Sequence, residues 1–96
     1  MKSECINHTF VKVCASPESQ ELFDSFYTNK HGLMDKYLRY WEVIGERFGH
    51  NSNIIGFNPI NEPMCAHFMK EMSLLNKKNF DKRKLLPLYD RVLESL

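Results

Sequence analysis

Apolar side chains recur at helical spacing in two stretches of the chain. Between residues 34 and 48 they follow an i, i+3, i+4, i+7 stripe, with charged positions mostly on the other face, which predicts an amphipathic helix. Gly49 then predicts that this helix ends at a glycine with a left-handed backbone conformation. A second stripe over residues 85–96, with Pro87 in its first turn, predicts another helix. The first stripe comprises Tyr37, Leu38, Trp41, Ile44, Gly45 and Phe48.

An earlier helix is predicted from its start signals. Ser16 can cap it, and Pro17 falls at the first helical position, where a missing N–H costs nothing. Apolar positions continue on one face to about Tyr27, and His31-Gly32 should break the helix. Residues 67–75 are compatible with a further short helix.

Two other runs favour strands. Residues 10–15 form a short run rich in β-favouring side chains. Residues 54–60 are nearly apolar throughout, which is typical of a parallel strand buried on both faces, although Pro59 cannot donate to a ladder. Trp41 and Ile44 should cover one face of that strand. A helix, a short loop and a buried strand form half of a βαβ unit, so the predicted fold class is α/β.

Composition bounds the problem without identifying a function. The chain has 96 residues, 43% of them hydrophobic and 26% charged, which suits one small globular domain. A formal net charge of +1 gives no global attraction to nucleic acid. No apolar run approaches the ~20 residues of a membrane span. Residues 1–8 lack the apolar core of a signal peptide, and the compartment is not indicated.

The charge is concentrated in one segment. Residues 70–84 hold six basic and two acidic side chains, a local +4 that leaves −3 on the rest of the chain. Such a run is typical of a solvated face, with a phosphate or lipid-headgroup contact as the alternative. Its charged residues are Lys70, Glu71, Lys77, Lys78, Asp81, Lys82, Arg83 and Lys84.

Three cysteines are too few for a disulfide framework, so reduced or buried thiols are expected. The alternative is one disulfide with a free thiol left over, if the chain lies in an oxidising compartment. Cys5 with His8, and Cys65 with His67, offer soft metal ligands, but neither pair has the spacing of a zinc site. Nothing marks Cys14 or Cys65 as an activated nucleophile. We therefore expect no metal and no cofactor.

Glu62 is the candidate for chemistry. Pro63 favours an extended backbone at Glu62, which would lie at the C-terminal end of the predicted strand. In α/β barrels and open sheets, ligands bind at that end, and a half-buried carboxylate there can act as a general acid. The structural alternative is that Glu62 accepts hydrogen bonds from loop N–H groups. Trp41 and its aromatic neighbours could stack on sugars, but their helical spacing is typical of a core.

The run Asn53 to Pro63, an apolar stretch ending in Asn-Glu-Pro, resembles glycoside hydrolase family five, whose members are (β/α)₈ barrels of retaining glycosidases. The stretches 23–27, 37–48 and 86–92 resemble its endoglycoceramidase-like branch, which cleaves oligosaccharide from ceramide. The resemblance is strongest over residues 20–96. It implies a partial family-five domain over residues 1–96, and a carbohydrate or glycolipid substrate.

The resemblance also implies roles for two residues. Glu62 would be the catalytic acid/base, and Asn61 would bind the sugar 2-hydroxyl beside the scissile bond. The nucleophile of the family is a glutamate on a much later strand, which this sequence does not reach. Since a (β/α)₈ barrel needs ~200–250 residues, we expect a fragment of one to two βα units with amphipathic helices, inactive alone. The alternative is a non-catalytic, mainly helical interaction module or gene remnant derived from the barrel.

Overall fold

The computed structural model of the protein describes residues 9–96, and helices dominate that region. None of these helices is both long and apolar enough to cross a bilayer. The elements are α1 (Phe10–Cys14), α2 (Pro17–Tyr27), a 3₁₀ turn (Lys30–Gly32), α3 (Leu33–Phe48), a second 3₁₀ turn (Met72–Leu75), α4 (Lys77–Phe80), a wider π-helical turn (Asp81–Leu85) and α5 (Leu86–Ser95).

The start of α2 confirms the prediction. Ser16 is the N-cap, and its hydroxyl accepts a hydrogen bond from the backbone N–H of Ser19 at 3.2 Å. Pro17 is the first helical residue. The helix ends at Tyr27, and the predicted break follows, because Asn29, His31 and Gly32 all have left-handed backbone conformations. Local signals therefore define both ends of this helix.

Helix α3 forms over Leu33–Phe48, where the stripe predicts it, but the conformation of the residue that follows it differs from the prediction. Asn29 and Asp35 close its N-terminus reciprocally: the Asn29 amide donates to the Asp35 carboxylate at 2.9 Å, and the Asp35 N–H donates to the Asn29 side-chain oxygen at 3.1 Å. The prediction of a left-handed stop at Gly49 is wrong, since its φ of −59° is right-handed. The chain leaves the helix through the turn that follows.

The core lies between α3 and α5. Its buried side chains are Met34 and Trp41 from α3 and Leu88 and Val92 from α5. Aromatic side chains of α2 pack around them, as does Ile60. The helices approach closely at Gly45, where an added Cβ would lie 2.6 Å from the carbonyl oxygen of Leu96. Both predicted amphipathic stripes therefore meet each other.

The prediction of a strand at residues 10–15 is wrong, because α1 occupies most of that run. β-Branched side chains favour a pleated surface only where a neighbouring strand provides one. No strand occurs among residues 9–96, so backbone groups here are satisfied locally instead. The N–H of Val13 donates to the carbonyl of Thr9 at 3.1 Å, within a single helical turn.

The predicted strand at 54–60 is also wrong, and with it the α/β class and the partial (β/α)₈ barrel. The segment is irregular and unpaired over the described residues, and Ile55 is fully exposed. A strand is stable only when neighbours satisfy its N–H and C=O groups, and none is available here. Trp41 does reach this segment, with its ring 5.8 Å from that of Phe57, but against irregular backbone.

The C-terminal helix begins earlier than predicted. Its α5 portion, with Pro87 in the first turn, is confirmed, but helical turns already start at Lys77. A π-helical turn at Asp81–Leu85 precedes the proline, which has no N–H for a helical bond. The helix predicted over 67–75 is mostly a turn, with 3₁₀ geometry only over Met72–Leu75.

Candidate functional site

Two tyrosine hydroxyls hold the backbone on either side of Asn61 and Glu62. Tyr37, from α3, donates to the carbonyl oxygen of Pro59. Tyr27, from α2, donates to the carbonyl oxygen of Met64 at 3.1 Å. The intervening residues form a bend that is anchored at both ends although no sheet supports it.

Both anchoring hydroxyls lie in the aromatic part of the structure. The Phe26 ring meets the Tyr37 ring edge-on at 5.0 Å, and the Phe80 ring meets Tyr27 at 5.8 Å. Burial raises the pKa of Tyr27 strongly and also raises the pKa of Tyr37, because the phenolate form loses its hydration there. Both hydroxyls therefore remain protonated donors well above neutral pH.

Glu62 has an unusual backbone conformation. Its φ of 46° lies in the left-handed region, which costs a non-glycine residue ~1–2 kcal/mol. Such residues cluster at sites where function retains them. The prediction of an extended backbone at Glu62 is therefore wrong, and its position at the end of a strand is lost with the strand.

The side chains of Asn61 and Glu62 are both exposed. No ion pair between described residues includes Glu62. A general acid is normally covered from water, which favours its protonated form. Within residues 9–96 the backbone around the candidate acid is thus anchored, while the carboxylate itself is exposed to solvent.

Trp41 belongs to the core rather than to a sugar platform. It is 7% exposed and sits edge-on to Tyr37, Tyr40 and Phe57. Its indole N–H has no hydrogen-bond partner among the described residues that meets normal geometry. The core interpretation of the aromatic stripe is supported at this position.

A second polar cluster was not predicted from the sequence. The Nε2 atom of His67 lies 3.0 Å from a carboxylate oxygen of Glu21 and 3.8 Å from one of Asp24. Lys84 reaches Asp24 at 3.3 Å, and Lys30 reaches Glu21 at 2.6 Å. The Lys30 hydrogen bond lowers the pKa of Glu21, with His67 adding to the effect. Glu21 and Asp24 are close together on α2, but His67 and Lys84 are far from them in sequence, so no spacing signals the cluster.

Gln20 ties this cluster to the backbone. It is a buried polar side chain, 3% exposed, whose amide N–H donates to the Ala15 carbonyl at 2.9 Å. Its side-chain oxygen accepts from the N–H of Met69 at 3.2 Å. Gln20 therefore links α2 to the turn that carries His67. The sequence shows Gln20 only as one polar residue in a helix of mixed composition, which does not predict this role.

The candidate metal and thiol residues do not converge in the described region. Cys5 and His8 lie outside the described residues. The Cys65 thiol contacts the carbonyl of Leu74 at 3.4 Å, whereas His67 faces the α2 carboxylates. Burial raises the pKa of Cys65, the opposite of what an activated nucleophile requires. No group of three or more metal-ligating side chains occurs within residues 9–96.

Comparison with known proteins identifies two curated relatives, both named endoglycoceramidase. One from Cyanea nozakii is 27% identical over 93 residues, and one from Hydra vulgaris is 26% identical over 93 residues. Each alignment covers 97% of this chain but only 18% of the relative. The chain thus has an endoglycoceramidase-like relation and spans less than a fifth of those relatives. No family model matches the sequence, and no solved structure matches the fold.

Proposed function

We propose that this chain carries the acid/base segment of an O-glycosyl hydrolase of the endoglycoceramidase kind, acting on a glycosphingolipid or related β-glycoside. Glu62 would be the acid/base, and Asn61 would hold the sugar 2-hydroxyl. The observation that carries the proposal is the left-handed backbone at Glu62, on a bend held by Tyr27 and Tyr37. The two relatives and the resemblance of Asn61-Glu62-Pro63 to glycoside hydrolase family five support it.

The proposed chemistry requires a second carboxylate beside Glu62. A retaining glycosidase needs a second carboxylate ~5–5.5 Å from the first, to attack the anomeric carbon while the acid protonates the leaving oxygen. Glu42 and Glu46 lie on α3 and Asp90 on α5, and none of them belongs to the bend. The nucleophile and the cleft would come from additional polypeptide, which in the relatives makes up the other four-fifths of the chain.

Glu62→Gln in a complete polypeptide containing this segment tests the role of the acid. General acid–base assistance contributes ~10²–10⁴-fold, so cleavage of the natural glycolipid should fall by that order. Substrates whose leaving group needs no proton should be cleaved nearly as before. Glu94→Gln is the matched control, because Glu94 is an exposed glutamate of α5, and it should leave both rates unchanged. Equal losses on both substrates in Glu62→Gln would contradict the acid role.

The 96-residue chain alone should hydrolyse nothing. The orientation advantage of a formed cleft, up to ~7–11 kcal/mol, is missing together with the nucleophile. Purified chain incubated with a fluorogenic glucoside and with a glycosphingolipid provides the measurement. Turnover that disappears in Glu62→Ala would show that the described segment already contains, or recruits, a second carboxylate.

A non-catalytic, mainly helical interaction module is the alternative. The helical fold of the described region, with a core between α3 and α5, favours it. A complete polypeptide that hydrolyses no β-glycoside at all would support the module and exclude the enzyme.

A further inference from the structure

The basic segment forms a surface of distinctive composition. Two apolar side chains are exposed there: Met72 and Leu75, at 71% and 56%. Three exposed lysines accompany them: Lys77, Lys78 and Lys82. We call these five side chains the basic methionine patch.

Local geometry directs the patch outward. Leu74 and Phe80 are the buried residues of this segment, so the 3₁₀ turn and α4 face the interior through them. Residues three apart in a 3₁₀ turn share a side, which places Met72 with Leu75. Lys78 and Lys82 each lie two positions from Phe80, on the opposite side of the helix.

The turn and the helix are held together by polar contacts. The Asn79 side-chain N–H donates to the Ser73 carbonyl at 3.1 Å. Arg83 pairs with Glu71 and also reaches the Ser73 hydroxyl at 3.3 Å. The apolar and basic parts of the patch therefore belong to one locally ordered unit.

Among the described residues, ion pairs occupy Glu71, Arg83 and Lys84 of the basic segment, whereas Lys70, Asp81 and the three patch lysines have none. Arg83 is matched by Glu71, and Lys84 by Asp24. Lys77, Lys78 and Lys82 pair with no described residue. The segment carries +4, and the remaining sequence carries −3. An anionic surface would attract this end of the molecule and repel the rest, which sets the orientation.

We propose that the basic methionine patch is a docking surface for an anionic lipid bilayer, with the lysines over the headgroups and with Met72 and Leu75 inserted at the interface. Charge complementarity points to this occupant, and the exposed apolar side chains distinguish it from a polyanion that offers charge alone. Docking is peripheral and does not depend on hydrolytic activity.

The test is co-sedimentation of the chain with vesicles of phosphatidylcholine alone, or of phosphatidylcholine with phosphatidylserine at a ratio of about two to one. The vesicles contain no glycolipid, so the result is independent of the proposed enzymatic function. Binding should require phosphatidylserine and weaken as salt rises, because counterions screen the lysines. Equal binding to neutral vesicles, or none to either kind, overturns the proposal.

Charge reversal localises the contact. Each lysine near an anionic leaflet strengthens binding about fivefold, so Lys78→Glu combined with Lys82→Glu should weaken it at least ~30-fold. The matched control combines Lys12→Glu with Lys36→Glu, which makes the same change in net charge at exposed positions of α1 and α3. The control should change binding less than about fivefold. Equal losses in the two double variants would show attraction of net charge without a patch and overturn the proposal.

The apolar half of the patch has its own comparison. Met72→Ser should weaken vesicle binding several-fold, whereas Leu93→Ser should not, although Leu93 on α5 is 74% exposed. Circular dichroism confirms that each variant keeps its helices. Tighter binding to a single-stranded RNA than to the anionic vesicles, unaffected by Met72→Ser, would assign the surface to a polyanion and overturn the lipid proposal.

Discussion

The helical pair α3–α5 and the segment 54–64 are both rich in apolar residues, but the helices are regular and bury theirs, whereas the segment is irregular and leaves several exposed. The helices bury Met34, Trp41, Leu88 and Val92 against each other. The segment leaves Ile55 fully exposed and has no regular structure. A helix satisfies its own backbone and needs a partner only for its apolar face, whereas a strand needs partners for its backbone as well.

The segment is nevertheless attached to the core at particular points. Ile60 packs against the core cluster, and Phe57 meets Trp41. The hydroxyls of Tyr27 and Tyr37 hold its backbone near the Asn61–Glu62 bend. The comparison shows that the region with the candidate chemistry is held by a few side-chain contacts on a scaffold stabilised by packing.

The largest expected contrast comes from truncating apolar side chains in the two regions. Leu88→Ala should lower the free energy of unfolding by ~2–5 kcal/mol, because it leaves a cavity in the core. Ile55→Ala should change it by less than ~0.5 kcal/mol, since the side chain is already in water. Urea denaturation of both variants measures the difference. A large loss in Ile55→Ala would mean that the segment is packed in solution.

A smaller effect should come from the tyrosine anchors. Tyr27→Phe removes the bond to the Met64 carbonyl and should cost ~0.5–1.5 kcal/mol at neutral pH. The control Tyr40→Phe removes a hydroxyl from an exposed ring and should cost less. Faster amide hydrogen exchange near the bend in Tyr27→Phe, but not in Tyr40→Phe, would confirm the anchoring role.

The same anchor predicts a pH dependence. Burial raises the pKa of Tyr27 in the folded state, so above pH ~10 the unfolded chain loses a proton that the folded chain retains. Stability should therefore be fully present below that pH and fall as pH rises through the alkaline range. Tyr27→Phe should flatten this fall, as followed by denaturation at several pH values. An unchanged slope would contradict the burial of this hydroxyl.

The smallest expected effect concerns the bend itself. Glu62→Gly relieves the left-handed strain and should raise stability by up to ~1 kcal/mol, while Asn61→Gly, at a residue without positive φ, should not. Thermal unfolding of the two variants measures this. A loss of stability in Glu62→Gly would show that the side chain makes a contact that outweighs the strain.

The sequence by itself determined the helices α2, α3 and α5 and singled out residues 61–63. Ser16 and Pro17 begin α2, His31-Gly32 separates α2 from α3, and the apolar stripes define the faces that meet, because these signals act within a few residues. Asn61-Glu62-Pro63 stood out as candidate site residues because of their residue types and their resemblance to glycoside hydrolase family five. No local signal could show that Tyr27 and Tyr37 would hold the backbone around them.

Only the tertiary structure decided what the β-favouring runs become. Residues 10–15 and 54–60 have the composition of strands. A strand makes its backbone hydrogen bonds to a neighbouring strand, and within residues 9–96 no strand pairs with either run. The left-handed backbone of Glu62 and the His67 cluster with Glu21 and Asp24 depend in the same way on residues distant in sequence. Helices α2, α3 and α5 formed where the sequence indicated them because their hydrogen bonds are local, whereas the candidate site was shaped by contacts that are not.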